Sequence, residues 1–178
     1  MAENHISDIT LVQNKEEFSS DEHISINVQF SIQGQLRDAF NEKNWTQAYD
    51  KYDNTFKMKY GIKLQAGGFK KHTLGKEIDT YRKASIFWTR NPKLVNPMKD
   101  KRIWVQVAKN FKPIIRLSEE EVKQELFDFD EKVTFKASEL GSGTHKISAE
   151  ASASWQQHDY IDSGNAKNHS KEIEITVN

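Results

Sequence analysis

Five apolar side chains, Phe56, Met58, Tyr60, Ile62 and Leu64, alternate with Lys57, Lys59, Gly61 and Lys63. A strict period of two puts the first set on one face of an extended strand and the second on the other. A helix would scatter both sets around its circumference. The segment therefore requires a sheet with one wet face, and a second layer to cover the other. Ile24, Ile26, Val28 and Phe30 repeat the pattern against Ser25, Asn27 and Gln29, and Gly34 ends that run.

The remaining elements are weaker. Residues 8–12 read as a short first strand and 15–22 as a polar loop turning at Ser19 and Ser20. Between 35 and 53 the period changes. Leu36, Ala39, Phe40, Trp45, Ala48, Tyr49 and Tyr52 recur at three and four, which predicts a helical insertion near residues 35–52. A strand carrying Trp45 is the alternative. Residues 39–52 resemble the inner turn of a tetratricopeptide repeat, but no second copy follows, and a lone repeat cannot bury its own face.

Ala66, Gly67 and Gly68 form a turn, and strands follow at 77–81 and 83–88. Pro92 and Pro97 make their surroundings a loop. Ile103, Val105 and Val107 alternate with Trp104 and Gln106 in another strand. Ser118 followed by Glu119, Glu120 and Glu121 has the form of a capping box and predicts a short helix near 118–126. Strands close the chain at 132–137, 144–155 and 172–177. Gly141-Ser142-Gly143 leads the middle one as a turn needing positive φ, and 156–170 reads as a long polar loop.

Short strands without regular strand–helix alternation predict a mainly β chain built as an antiparallel β-sandwich. It reads as one β-rich domain over 1–178, with a weak subdivision near 112–118 left open. Near the C-terminus, Gly143-Thr144-His145 leads an alternating strand that precedes a final edge strand. This pattern resembles immunoglobulin-like modules of the adhesion kind. The resemblance implies an immunoglobulin-like sandwich and carries no function. The inter-sheet cysteine pair of such modules is missing. The helix-then-sheet order of residues 35–64 is similar to the NTF2-like cone fold, which implies a pocket for ligand or catalysis.

Formal net charge is zero but unevenly spread. Residues 56–116 carry sixteen Lys and Arg against Glu77, Asp79 and Asp100. Residues 1–55 carry four bases and ten acids, and 117–178 six bases and thirteen acids. A basic centre thus lies between acidic flanks. Lys57, Lys59, Lys63, Lys70 and Lys71 are candidate binding residues, with Trp88 and Trp104 as interleaved aromatics. Cations suit a phosphate backbone, and flat faces suit stacked bases. The plainer alternative is solvated lysines that protect a sheet edge, with acidic flanks folded against them.

Other chemistry is sparse. His158, Asp159, Asp162 and His169, with His145, are weak metal candidates without helical histidine spacing or a full calcium loop. The expectation is no metal and no cofactor. Cysteine is absent, which removes disulfides, thiolate nucleophiles and Cys-based zinc sites, and leans toward a reducing compartment. No window of eighteen apolar residues marks a spanning helix. The first residues lack the basic start and apolar run of a signal peptide, so the expected location is cytoplasmic, with a processed mature form left open. No Gly-rich phosphate loop occurs, and Ser142 sits in a hairpin turn rather than a strand-to-helix elbow. Asn44 and Asn168 match the glycosylation pattern, which twelve asparagines produce by chance. The expected function is non-enzymatic: a binding or interaction domain with a macromolecular partner. A protein or a second copy comes first, an acidic polymer or nucleic acid second. The alternatives are an NTF2-like pocket protein and a structural subunit of a homo-oligomer.

Overall fold

The computed structural model describes residues 3–39, 55–67, 71–88, 101–107, 110–115, 119–156 and 164–178. Two sheets share one apolar core. The small sheet centres on β4 (His23–Gln33), which pairs antiparallel with β9 (Asp128–Lys136) along most of its length. β1 (His5–Ile6) and β2 (Thr10–Gln13) also pair with β4, at its end and its middle. Ser7 holds the break between them. Its amide donates to Ser31 O, and its hydroxyl accepts from Ser31 N, both at 2.8 Å.

The chain then crosses to the second sheet. β3 (Glu17–Phe18) pairs in parallel with the last strand, β12 (Ile173–Val177). From there the large sheet runs β12, β10 (Gly143–Gln156), β5 (Thr55–Ala66), β6 (His72–Trp88), β7 (Lys101–Val107) and β8 (Asn110–Ile115). β11 (Gly164–His169) pairs with the far half of β10. The order from β12 through β7, facing β4 and β9, follows that of an immunoglobulin variable-type sandwich.

The alternating runs become the facing walls of the core. Ile24, Ile26, Val28 and Ile32 are fully buried, as are Met58, Ile62 and Leu64. Ala149, Ala151 and Ala153 of β10 are buried beside them, their small side chains filling less of the space between the sheets. Among the described residues two short helices cap the layers. α1 (Gln35–Ala39) buries Leu36, and α2 (Glu119–Phe127) buries Leu126 and Phe127.

Several expectations change. The predicted strands at 77–81 and 83–88 are one strand, β6, bent by a bulge: Ile62 pairs with Ile78 and Leu64 with Leu74, so Lys63 faces residues 75–77. Gly75 opens that bulge with φ +64°, and a Cβ there would stand 2.6 Å from Thr134 O of β9. Glycine is needed for the conformation and for the close approach. The predicted polar loop at 156–170 contains β11, and the predicted loop at 15–22 contains β3. GNAKNH has no apolar period to announce it; its ladder to β10 holds it instead. Residues 110–115 form β8, the last strand of the large sheet among the described residues, and an edge position is where a strand tolerates a proline such as Pro113. Of the predicted 35–52 insertion, 35–39 is helical; 40–52 lies outside the described residues.

Candidate functional site

The outward face of β5 is the surface that the alternation marks out. Lys57 and Lys59 are exposed there and Lys63 is half-buried. Strand pairing supplies their neighbours, because residues directly opposite each other share a face. Gly61 lies between Asp79 of β6 and Ser152 of β10, and Ser152 pairs onward with Lys167 of β11. One step along, Lys59 lies between Tyr81 and Ser154, with Asn165 beyond. Glu150 flanks Lys63, and His169 follows.

Gly61 has no side chain and Ser152 a small one, so a shallow dish of about 400 Å3 opens between the larger residues. Lys59, Asp79, Ser152, Ser154, Asn165 and Lys167 line it. A Cβ on Gly61 would stand 3.3 Å from Ser152 Oγ, so even a methyl group would narrow the floor.

The lysines of this face do not form a free positive field. Lys63 Nζ lies 3.8 Å from Glu77 Oε1. Lys167 and His169 both reach Glu150, each at 3.1 Å. Partial burial pushes the Glu150 carboxyl up, but hydrogen bonds and charges from Lys167 and His169 outweigh it and hold it below the usual carboxylate range. Lys57 Nζ sits 4.7 Å from the centre of the Tyr81 ring. Such exposed pairs add little stability. Their consequence is electrostatic, since acids from β6 and from the C-terminal flank interleave with the bases of β5.

The other sequence candidates scatter. Lys71 is exposed just before β6, and Lys70 lies outside the described residues. Trp88 ends β6 and Trp104 pairs with Ser85, both beyond Lys57 along the sheet and away from the dish. His158, Asp159 and Asp162 lie outside the described residues, and His169 is held by Glu150. Among the described residues no three His, Asp or Glu gather as a metal-holding group. Nor is any helix among them long and apolar enough to cross a membrane. Asn168 is used internally: its Nδ2 donates to Ile6 O and Ser7 O, both at 3.1 Å, tying β11 to β1.

Behind the sheet lies a charged group that the sequence reading counted only as one base among many. Arg82 is 7% exposed. Its Nη1 donates to Glu125 O at 2.9 Å and Asp128 O at 2.5 Å, and its Nη2 to Glu131 Oε1 at 3.3 Å. The guanidinium lies 3.8 Å from the centre of the Phe129 ring. Tyr60 Oη donates to the same Glu131 oxygen at 2.9 Å. Arg82 falls in the apolar phase of β6, two steps from Thr80 and four from Ile78. An arginine in phase with the inward residues was the signal available in the sequence.

This group gives Tyr60 a measurable signature. Burial pushes the phenol up and the Glu131 carboxylate pushes further, against a pull from Arg82, to about 12 from an ordinary 10.0. The unfolded chain therefore releases this proton at lower pH than the folded chain. Stability from Tyr60 is fully present below pH 10 and is lost as pH rises toward 12. Urea midpoints of the wild type and Tyr60→Phe should converge or cross over that window, the wild type losing ~2–3 kcal/mol relative to the variant. A difference that does not vary with pH there would show that the phenol is not held in this way.

No protein-family model matches the sequence, and no curated protein does. Among solved structures, the chain is similar to AggA, the major subunit of aggregative adherence fimbriae type I from Escherichia coli. Identity is 13%, the match covers 97% of this chain and 95% of that one, and the TM-score is 0.32. A likeness of that score carries nothing from that protein to this chain.

Proposed function

We propose that this chain is a non-enzymatic contact module of immunoglobulin-like build, and that the outer face of the large sheet around Gly61 is its binding surface. One observation carries the reading. Lys59, Asp79, Ser152, Ser154 and Asn165 converge on the dish with no hydrogen bond or ion pair among the described residues. Their backbones are fixed by three ladders that join four strands, which is how a surface keeps polar groups in place for a partner. An acidic polymer is a weaker occupant than the basic centre first implied, because Glu77, Asp79 and Glu150 interrupt the positive field. A catalytic reading draws less from this geometry: the dish is shallow, and neither Ser152 nor Ser154 hydrogen-bonds a base among the described residues.

The test is a panel of immobilised probes: heparin, single-stranded DNA, neutral glycans and the chain itself. Wild type is compared with the double variant Lys59→Glu/Asp79→Lys, which reverses the dish charges at constant net charge. A probe that binds wild type should be lost in the variant, with thermal stability unchanged. Equal binding by both proteins would place the contact elsewhere. Silence across the panel would remove the binding-module reading.

A further inference from the structure

The chemistry of the dish discriminates among partners. Resting on the contact-face reading above, we propose that it takes a neutral saccharide, one or two sugar rings laid flat over Gly61 and Ser152.

The polar groups that line it are of mixed kind. Lys59 offers only donors, Asp79 only acceptors, and Ser152, Ser154 and Asn165 offer both. Vicinal sugar hydroxyls make the same mixed demand, since each donates once and accepts twice. A phosphate or sulfate would leave Asp79 facing an anion, and an organic cation would leave Lys59 facing a cation.

Charge on the face points the same way. In the lining of the dish Lys59 and Lys167 are matched by Glu77 and Asp79, and Glu150 stands beside Lys63, so the formal charges of the lining sum to zero. Glu77 and Asp79 come from β6 and Glu150 from β10, placed by register on either side of β5. Strand pairing therefore converts the basic centre of the sequence into a neutral, strongly dipolar surface.

The shape fits too. About 400 Å3 lies within the ~300–1,000 Å3 range of small-ligand sites, but those sites are mostly apolar and enclosed. This one is open, and hydroxyls, an amide and charged groups share its lining with apolar atoms. A lipid or apolar ligand would find no wall to bury against. A polyol would instead exchange its water for fixed hydrogen-bonding partners.

The experiment uses the full chain against an array of neutral glycans ending in hexose, deoxyhexose or N-acetylhexosamine, with sulfated versions alongside. The methyl glycoside of the best terminal sugar is then titrated by amide NMR. The expected result is binding to neutral glycans with little salt dependence, and shifts at Gly61, Ser152 and Asn165. Asp79→Asn and Gly61→Thr should each weaken it at least ~10-fold, the loss expected for a hydrogen bond to a charged group or a blocked floor. Gly61 sits in an extended strand where threonine is favoured, and Asp79→Asn provides an independent arm if the threonine disturbs Ser152. Binding to sulfated glycans alone, with a steep salt slope, overturns the inference. So does neutral-glycan binding that both variants retain. If a different probe of the panel is lost in Lys59→Glu/Asp79→Lys while no glycan binds, the saccharide inference fails and the contact face stands. If no probe is lost, both fail.

Discussion

Arg82→Ala should lower the urea midpoint by an amount equivalent to ~3–5 kcal/mol, with no change in m-value. The size follows from what the guanidinium leaves behind. Glu125 O and Asp128 O lie at the C-terminal end of α2, where backbone carbonyls have no partner within the helix and the macrodipole is negative. The last turn of α2 contains no basic residue of its own. Arg82 of β6 supplies that cation from across the core. Its removal orphans two carbonyls, unpairs Glu131, and empties the space above the Phe129 ring. Arg82→Met separates these contributions, because it restores most of the volume without the charge. It should recover less than half of the loss. Arg82→Lys keeps the charge but cannot reach both carbonyls and Glu131 in one plane, so it should fall between the two. An Arg82→Met variant as stable as wild type would show that burying the cation costs about as much as its hydrogen bonds return.

The contrast between this group and β5 shows which information is local. Phe56 to Leu64 could be placed from the sequence because each residue's environment follows from its own position in the alternation. All five apolar residues are 3% exposed or less, and Lys57 and Lys59 point outward. The fate of Lys63 could not be read in the same way. It depends on Glu77, which reaches it across a bulge of three residues against one, set by Gly75 pressed against β9. Gly75 marks a bulge within β6, but the three-against-one offset also depends on the close approach of β9. The same holds for Glu150, which belongs to the acidic C-terminal flank in sequence and to the basic face in space. Charge segregation along the chain was real, but antiparallel pairing folded it back on itself. The dish escaped notice for a related reason. Gly61 was one small residue among outward lysines, and only Ser152 opposite it turns the gap into a concavity. β11 was missed because its stability lies in a backbone ladder, with Ala166 as its one apolar side chain.

Phe127→Ala should cost a further ~3–5 kcal/mol, the range for deleting a buried phenylalanine whose cavity cannot collapse. Phe127 is fully buried at the end of α2 and meets Phe56 of β5 edge-on, ring centres 5.8 Å apart. Leu126 beside it is also fully buried. These two side chains bind the last turn of a nine-residue helix whose other residues include four glutamates and a lysine. Such a helix is too short to persist on its own. Its order depends on the apolar anchor at Phe127 and on the hydrogen bonds from Arg82. The two supports act on one element, so their losses should not add. Once Phe127→Ala releases the last turn, the carbonyls of Glu125 and Asp128 can reach water, and the remaining value of Arg82 falls. The double variant should therefore be less destabilised than the sum of the singles by at least ~1 kcal/mol, within the range of coupled neighbours. Hydrogen exchange gives the independent check. In either single variant the amides of α2 should exchange far faster than those of β4 and β10, which the core still holds. Strict additivity, with α2 as protected as β4, would mean that the helix is secured by contacts other than these two.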